Sequence, residues 1–178
     1  MIVFDTETSG LIGPQNAPLD TQPEIIEFAA IKLDDHFLEE QGRLTFLCKP
    51  SREIVPKITE ITGLTNEDLK GQPSFARKLP LVEDFFRGER FCAAHNCGYD
   101  IGMMELELRR LNRVRRFPWP TEQLCTVELT TDIKGYRLKL GQLYEIAMGK
   151  PMAEAHRAMV DVEHLVEVVR WLRAQGKI

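Results

Sequence analysis

Two carboxylates follow a short apolar run at the amino terminus. The run from Met1 to Phe4 predicts a buried strand, and Asp5 and Glu7 come directly after it, two residues apart. In an extended chain both side chains point to the same face, with Cα atoms about 6.5–7 Å apart. Like charges so placed repel each other, and a bound cation removes that repulsion. The alternative interpretation is an ordinary turn, because the segment DTETSG is rich in turn-forming residues.

A third carboxylate, Asp161, belongs to a predicted amphipathic helix near the end of the chain. This helix, from about Arg157 to Ala174, has an apolar stripe that comprises Val162, Leu165, Val166, Val169 and Leu172. Asp161 lies four residues before Leu165, which places it on or beside the buried face. A carboxylate there needs a partner, because burying an isolated charge is costly. A salt bridge and a metal ion are equally good candidates.

Asp100 repeats this pattern at the start of a helix predicted from about Tyr99 to Asn112. It lies four residues before Met104 and eight before Leu108, on the apolar side. Its alternative role is that of a helix N-cap, for which aspartate is a preferred residue.

His156 precedes Asp161 by five residues, and its ring has the intrinsic pKa of a general base near neutral pH. On one continuous helix an offset of five residues is about 140°, so the two side chains would diverge. A position at or just before the first turn would let His156 reach the same cleft. The alternative is an exposed or capping histidine.

Hard oxygen ligands without a thiolate favour Mg²⁺ or Mn²⁺ over zinc. Four carboxylates around two such cations are typical of two-metal phosphodiester hydrolysis. A zinc site at Cys92, His95 and Cys97 is disfavoured, because no fourth ligand is evident and strand alternation points Cys92 and His95 to opposite faces.

The elements that must position these residues alternate along the chain. Five strands are predicted, at residues 1–4, 24–33, 43–48, 90–94 and 123–127. Short helices and turns are expected between residues 50 and 71, and longer helices at 74–88, 99–112, 138–148 and 157–174, with Pro80 expected to kink or split the first of these. The pattern predicts an α/β or α+β domain on one mixed sheet. A connection with three prolines runs from Leu11 to Pro23. Connections of this length are often functional, but an ordinary solvated surface loop is the favoured interpretation.

Composition and charge restrict the remaining possibilities. The 178 residues predict a single domain over residues 1–178, and 43% hydrophobic with 28% charged residues argue against disorder. Neither a secretory signal nor a membrane-spanning run is recognisable, so a cytoplasmic location is expected. The formal charge of −4 does not by itself indicate nucleic-acid binding. A cluster of arginines could contact phosphates or simply favour a helix carboxyl end; it comprises Arg109, Arg110, Arg113, Arg115 and Arg116.

With these residues laid out, the chain resembles the DnaQ-like exonucleases of the DEDDh type. The first motif is matched by FDTETSG at residues 4–10, and the second by Ala94-His95-Asn96 followed by Tyr99 and Asp100. The third is matched by His156-Arg157-Ala158 through Asp161, and a further match is ITGLT at residues 61–65. The resemblance covers nearly the whole chain.

The resemblance implies a ribonuclease H-like fold, with a central five-stranded mixed β-sheet flanked by α-helices. It implies a 3′→5′ exonuclease that releases nucleoside 5′-monophosphates, with two divalent cations, Mg²⁺ or Mn²⁺, held by Asp5, Glu7, Asp100 and Asp161. His156 would deprotonate the attacking water. The residues expected to contact the terminal nucleotide are Thr8, Gly10, Thr62, Gly63 and Asn96, although many relatives have histidine where Thr62 stands.

The expected partner is a nucleic acid with a free 3′ end, with DNA favoured and a role in repair or proofreading. An exoribonuclease of the same family is the alternative, and a catalytically inactive nucleic-acid-binding or scaffold module is the non-enzymatic one. The chain ends a few residues after its last predicted helix, which favours a stand-alone nuclease over a polymerase-tethered one. A homodimer is left open.

Overall fold

The computed structural model describes residues 1–153 and 157–178, and its centre is a five-stranded sheet. The strands are β1 (Ile2–Thr8), β2 (Ile25–Leu33), β3 (Glu40–Leu47), β4 (Phe91–Ala94) and β5 (Glu122–Cys125). Their order across the sheet is β3-β2-β1-β4-β5. Strand β2 pairs antiparallel with both β1 and β3, whereas β4 runs parallel to β1 and to β5. The predicted mixed sheet and its five strands are confirmed.

Helices cover both faces of the sheet. They are α1 (Pro56–Thr62), α2 (Asn66–Lys70), α3 (Phe75–Phe86), α4 (Cys97–Arg110), α5 (Thr131–Lys134), α6 (Leu140–Met148) and α7 (Ala158–Ala174), with short 3₁₀ turns at Val114–Arg116 and Glu128–Thr130. Residues of α3 and α4 share one core cluster with the sheet, and residues of α6 and α7 share a second one. Among the helices described, none is long and apolar enough to cross a membrane.

Strand β1 is longer than predicted. The predicted strand ended at Phe4, whereas β1 continues through Asp5 and Glu7 to Thr8. Side chains alternate between the two faces of a strand. Phe4 belongs to the core beneath α3 and α4, whereas Val3 belongs to the core beneath α7. Asp5 and Glu7 therefore lie on the α7 face, and Thr6 on the α4 face.

Pro80 does not split its helix, so of the two effects expected of this proline the split is not observed. Helix α3 is assigned continuously across it, from Phe75 to Phe86. Proline removes one backbone donor, so the carbonyl of Ala76 loses its intrahelical partner. Pro80 is exposed, so water can reach that carbonyl. The buried side of α3, with Phe75, Leu79, Val82, Glu83 and Phe86, holds the helix against the sheet.

Candidate active site

Three carboxylates meet on the α7 face of the sheet. One oxygen each from Asp5, Glu7 and Asp161 lies within 4.8 Å of the others, and all three residues are partly buried. Strand alternation brings Asp5 and Glu7 to one side of β1, and α7 packs against β1 and β2 there. Asp161 sits in the first turn of α7, beside the buried stripe that the sequence indicated. Among the described residues, no other group of acidic, cysteine or histidine side chains converges in this way.

The electrostatics of this group are unfavourable for a metal-free protein. Burial, and next the neighbouring charges of Asp100 and Glu7, hold the pKa of Asp5 well above its usual range. Burial, and next the charge of Asp161, raise the pKa of Glu7 to about 7. Carboxylates that repel each other in a partly desolvated site are stabilised by a shared cation.

Asp100, on α4, contacts β1 at Thr6, the residue between Asp5 and Glu7. Its Oδ1 accepts hydrogen bonds from the backbone nitrogen of Thr6 at 3.0 Å and from Thr6 Oγ1 at 2.7 Å. Burial raises the pKa of Asp100 to about 7, and the bonds from Thr6 oppose that rise. Asp100 is not one of the three residues whose oxygens converge, yet its charge is the largest one acting on Asp5. Its role as a metal ligand stays a prediction.

Glu27 is a fifth acidic residue beside the site, and the sequence-based assignment missed it. Glu27 lies on β2 directly opposite Glu7 and is only 3% exposed. Its carboxylate accepts bonds from the Arg157 guanidinium, the shortest at 2.9 Å, and from the backbone nitrogen of Ala158 at 3.2 Å. The pair therefore ties the beginning of α7 to β2. The available signal was a carboxylate inside the otherwise apolar segment IIEFAAI.

His156, the predicted general base, lies outside the described residues. Its neighbours Arg157 and Ala158 are fixed by Glu27, so the chain on one side of His156 is anchored next to the carboxylates.

The residues predicted to bind the terminal nucleotide occupy several local settings. Thr8 Oγ1 donates to the carbonyl of Gly10 at 2.9 Å. Gly63 ends α1 with a φ of 72°, and Asn96 precedes α4 with a φ of 65°; both are exposed. Thr62 is buried, and its hydroxyl donates to the carbonyl of Ile58. Their contacts to a nucleotide stay a prediction.

His95, the histidine of the disfavoured zinc site, is hydrogen-bonded within the protein. His95 Nδ1 lies 2.9 Å from Thr126 Oγ1, and its Nε2 lies 3.1 Å from the carbonyl oxygen of Leu138. Burial lowers the pKa of His95 to about 4, so the ring is neutral at pH 7. Both ring nitrogens have protein partners, which supports a structural role.

Three members of the arginine cluster have intramolecular acidic partners. Arg113 Nη2 donates to both carboxylate oxygens of the buried Glu83, at 2.8 and 2.9 Å. Arg110 pairs with Glu107 at 3.2 Å, and Arg109 lies 3.9 Å from Glu105. Arg115 and Arg116 are exposed, at the opposite end of α4 from Asp100.

The donor set fits a divalent cation that prefers oxygen. Asp5, Glu7 and Asp161 supply three carboxylates, and within residues 1–153 and 157–178 no thiolate or imidazole converges with them. Mg²⁺ and Mn²⁺ favour such ligands, and a partly buried site with surplus negative charge gains most from neutralisation. The chemistry such a site supports is hydrolysis of phosphate esters, because cations can offset charge on phosphoryl oxygens.

Comparisons with known proteins identify the family of this chain. Residues 2–169 match the RNase T family model, described as exonuclease. The chain is 30% identical over 174 residues to the epsilon subunit of DNA polymerase III from Escherichia coli, covering 94% of this chain and 68% of that protein. It is 28% identical to a PolC-type DNA polymerase III from Clostridium perfringens, covering 96% of this chain and 11% of that protein.

A third relative is a putative bifunctional exonuclease/endonuclease from Mycobacterium tuberculosis, 30% identical over 180 residues, which are 96% of this chain and 26% of that protein. The chain thus spans well under half the length of several of the relatives that it matches.

Solved structures share the fold at low sequence identity. The nuclease domain of 3′hExo, a DEDDh family member solved with rAMP, has a TM-score of 0.78 at 16% identity, covering 98% of this chain and 92% of that one. Exonuclease X, solved with 5′-overhanging duplex DNA, has a TM-score of 0.67 at 21% identity, with the same coverage. The expected ribonuclease H-like fold is therefore confirmed. The chain therefore belongs to the RNase T family of exonucleases, which is DnaQ-like.

Proposed function

We propose that this chain removes nucleotides one at a time from the 3′ end of nucleic acid, with DNA preferred, and releases nucleoside 5′-monophosphates. The observation that carries the proposal is the convergence of Asp5, Glu7 and Asp161 within 4.8 Å on one face of β1. Such a group is electrostatically unfavourable by itself, and its chemistry suits a phosphodiester hydrolase.

The three carboxylates would hold two divalent cations, Mg²⁺ or Mn²⁺. When bound, these cations supply charge stabilisation at the phosphate and make the attacking water easier to deprotonate. Asp5 and Glu7 are fixed by the strand, and Asp161 by α7, so none of the three depends on a loop. Asp100 would support the site from α4, where Thr6 orients it.

His156 would accept the proton of the attacking water. A neutral imidazole with an ordinary pKa is suited to this role near pH 7. The anchoring of Arg157 and Ala158 by Glu27 supports the assignment, because it fixes the residues that follow His156. The charge of Arg157 also lowers the pKa of Glu7, which favours the ionised form that a cation needs.

The preference for DNA is supported by the names of the relatives, several of which are DNA polymerase III proteins. The main alternative substrate is RNA, because one structural neighbour was solved with rAMP and another is described as recognising a histone mRNA stem-loop. An RNA-specific enzyme would read the 2′-hydroxyl, which DNA lacks.

The test uses 5′-labelled single-stranded DNA and RNA of equal sequence, incubated with Mg²⁺, Mn²⁺ or EDTA. The expected result is a ladder that shortens from the 3′ end, requires the cation and is faster on DNA. Asp5→Asn keeps the shape of the side chain but removes its charge, and should abolish the ladder. Asp84→Asn is the matched control, because Asp84 lies on α3 with 83% of its side chain exposed.

Each alternative gives its own result. Faster shortening of RNA would identify an exoribonuclease, and internal cuts would identify an endonuclease. Activity that survives in Asp5→Asn but disappears with EDTA would mean that another site carries the reaction.

A further inference from the structure

The long connection between β1 and β2 is a closed loop with a fixed base. Where it leaves β1, the backbone nitrogen of Ser9 donates to the carbonyl of Glu24 at 2.9 Å. Where it enters β2, the backbone nitrogen of Glu24 donates to Ser9 Oγ at 2.9 Å. The two ends are thus bound to each other beside Glu7, and the residues between them form a compact surface loop.

One buried side chain holds the loop together from inside. Gln22 is only 3% exposed. Its Oε1 accepts from the backbone nitrogen of Gly13 at 2.9 Å, and its Nε2 donates to the carbonyl of Pro14 at 2.9 Å. Gln22 therefore joins the two arms of the loop without facing the solvent.

Arg110, from helix α4, holds the loop from outside. Its Nη2 donates to the carbonyls of Leu19, Gln22 and Pro23, at 3.1, 3.0 and 2.8 Å respectively. Glu107 pairs with the same guanidinium at 3.2 Å. A planar guanidinium oriented by a carboxylate can fix several carbonyls at once, which an ammonium group does less well.

The loop has two further contacts with α4, close to Asp100. A Cβ on Gly102 would lie 2.9 Å from Ile12 Cδ1, so Ile12 packs directly against the helix backbone. Tyr99 donates its hydroxyl to the carbonyl of Gly10 at 3.0 Å. The loop and Asp100 are consequently attached to the same rigid helix.

From these contacts we propose that Arg110 is a positioning residue, which keeps residues 11–23 as a preformed wall beside the carboxylate site. The inference rests on the proposed function, because the wall would receive the 3′-terminal part of the substrate. A segment that is already ordered costs little conformational entropy when the substrate binds, so Arg110 strengthens substrate binding without contributing to the chemical step.

Arg110 itself is poorly placed for direct contact with phosphate. Only 18% of its side chain is exposed, and its Nη groups face loop carbonyls and Glu107. A residue that contacts phosphate contributes to the salt dependence of binding, whereas a residue that acts through loop order does not. This difference separates the two roles experimentally.

The test compares Arg110→Gln and Gln22→Ala with the wild-type protein and with Arg109→Gln as matched control. Arg109 is the neighbouring arginine on α4; its side chain is 44% exposed and lies 3.9 Å from Glu105. Gln22 is buried, so its substitution loosens the loop without removing a surface contact. For each protein we would measure KM and kcat on a single-stranded oligonucleotide, the salt dependence of binding, and protease cleavage within residues 11–23.

Both loop variants should raise KM by about tenfold, roughly the binding cost of ordering one or two side chains, while kcat and the salt dependence stay near wild type. Cleavage within the loop should increase in both variants, and Arg109→Gln should resemble wild type. A loop that becomes protease-sensitive while KM stays unchanged would overturn the inference. A weaker salt dependence in Arg110→Gln alone would instead show direct phosphate contact, and would also overturn it.

Binding of a fluorescein-labelled oligonucleotide in EDTA separates failure of this inference from failure of the proposed function. If the wild-type protein binds the oligonucleotide in EDTA but does not cleave it with Mg²⁺ or Mn²⁺, only the exonuclease proposal is refuted. The positioning role would still require weaker binding by Arg110→Gln. Equal binding by wild type and Arg110→Gln would refute the positioning role alone. No binding or cleavage by wild type would refute both.

Discussion

Thr6 holds one carboxylate oxygen of Asp100 with two donors at once. The backbone nitrogen of Thr6 lies 3.0 Å from Asp100 Oδ1, and Thr6 Oγ1 lies 2.7 Å from the same atom. Thr6 stands between Asp5 and Glu7 in sequence but faces the other side of β1. One strand therefore presents two acidic side chains to α7 while it orients a third on α4.

Thr6→Val should weaken the site through Asp100. Valine keeps the shape and strand preference of threonine but removes the 2.7 Å bond, so the pKa of Asp100 should rise further. We expect kcat/KM to fall roughly tenfold, equivalent to about 1.4 kcal/mol, a typical value for a bond to a charged group. Steady-state kinetics measure the change. Thr121→Val is the control, and an unchanged kcat/KM would exclude a supporting role for Thr6.

Glu27→Gln should loosen the beginning of α7. The substitution removes the charge that pairs with Arg157 at 2.9 Å but keeps an acceptor for the backbone nitrogen of Ala158. Because the Arg157 side chain is half exposed, we expect a modest loss of about 1–2 kcal/mol in unfolding free energy. Activity should fall more than this loss explains, because α7 carries Asp161. Urea unfolding measures the loss of stability, and steady-state kinetics on the same preparation measure the loss of activity. Full activity would mean that the Glu27–Arg157 pair does not position α7.

The metal-free protein should lose stability as pH rises from about 4.5 to about 7. The pKa of Glu7 is about 7 in the folded state against 4.5 ordinarily, so the folded state binds more protons in this range and the unfolding free energy falls with pH. The contribution of Glu7 is roughly 3 kcal/mol. Thermal unfolding in EDTA across this range measures it. Glu7→Gln should flatten the slope relative to wild type, and parallel slopes would contradict the assigned pKa.

Mg²⁺ or Mn²⁺ should reverse that loss. At a concentration one hundred times its Kd, a cation that binds only the folded state adds about 2.7 kcal/mol per site. The stabilisation should increase towards pH 8, because the cation competes with the protons on Glu7. Melting temperatures with and without cation provide the measurement. Asp161→Asn should remove most of the gain, and a gain that persists in this variant would place the cation elsewhere.

Arg113→Gln should destabilise the fold, unlike substitutions of its exposed neighbours. Arg113 pairs with Glu83, which is 8% exposed, and its loss leaves a mostly buried carboxylate without its cation. We expect about 2–3 kcal/mol less unfolding free energy, against less than about 0.5 kcal/mol for Arg115→Gln. Denaturant unfolding of the two variants distinguishes them. Equal stabilities would mean that the Glu83 pair contributes little.

Much of the fold and of the site was predictable because local pattern determines it. The period of two places Asp5 and Glu7 on one face of an extended chain, and the helical period places Asp161 beside the apolar stripe of its helix. These rules require no knowledge of distant contacts. They predicted the five strands, the long helices and the three carboxylates that converge.

Tertiary packing decided the features that depend on residues far apart in sequence. No periodicity indicates that Glu27 binds Arg157, 130 residues away, or that Arg110 holds the carbonyls of residues 19–23. The extension of β1 to Thr8 likewise depends on its pairing with β2. Hydrogen bonds and ion pairs between distant elements form only where packing brings their partners within about 3 Å, and that distance is a property of the folded chain. The sequence by itself determined which residues could hold a cation, and only the tertiary structure decided which of them meet and what keeps them in place.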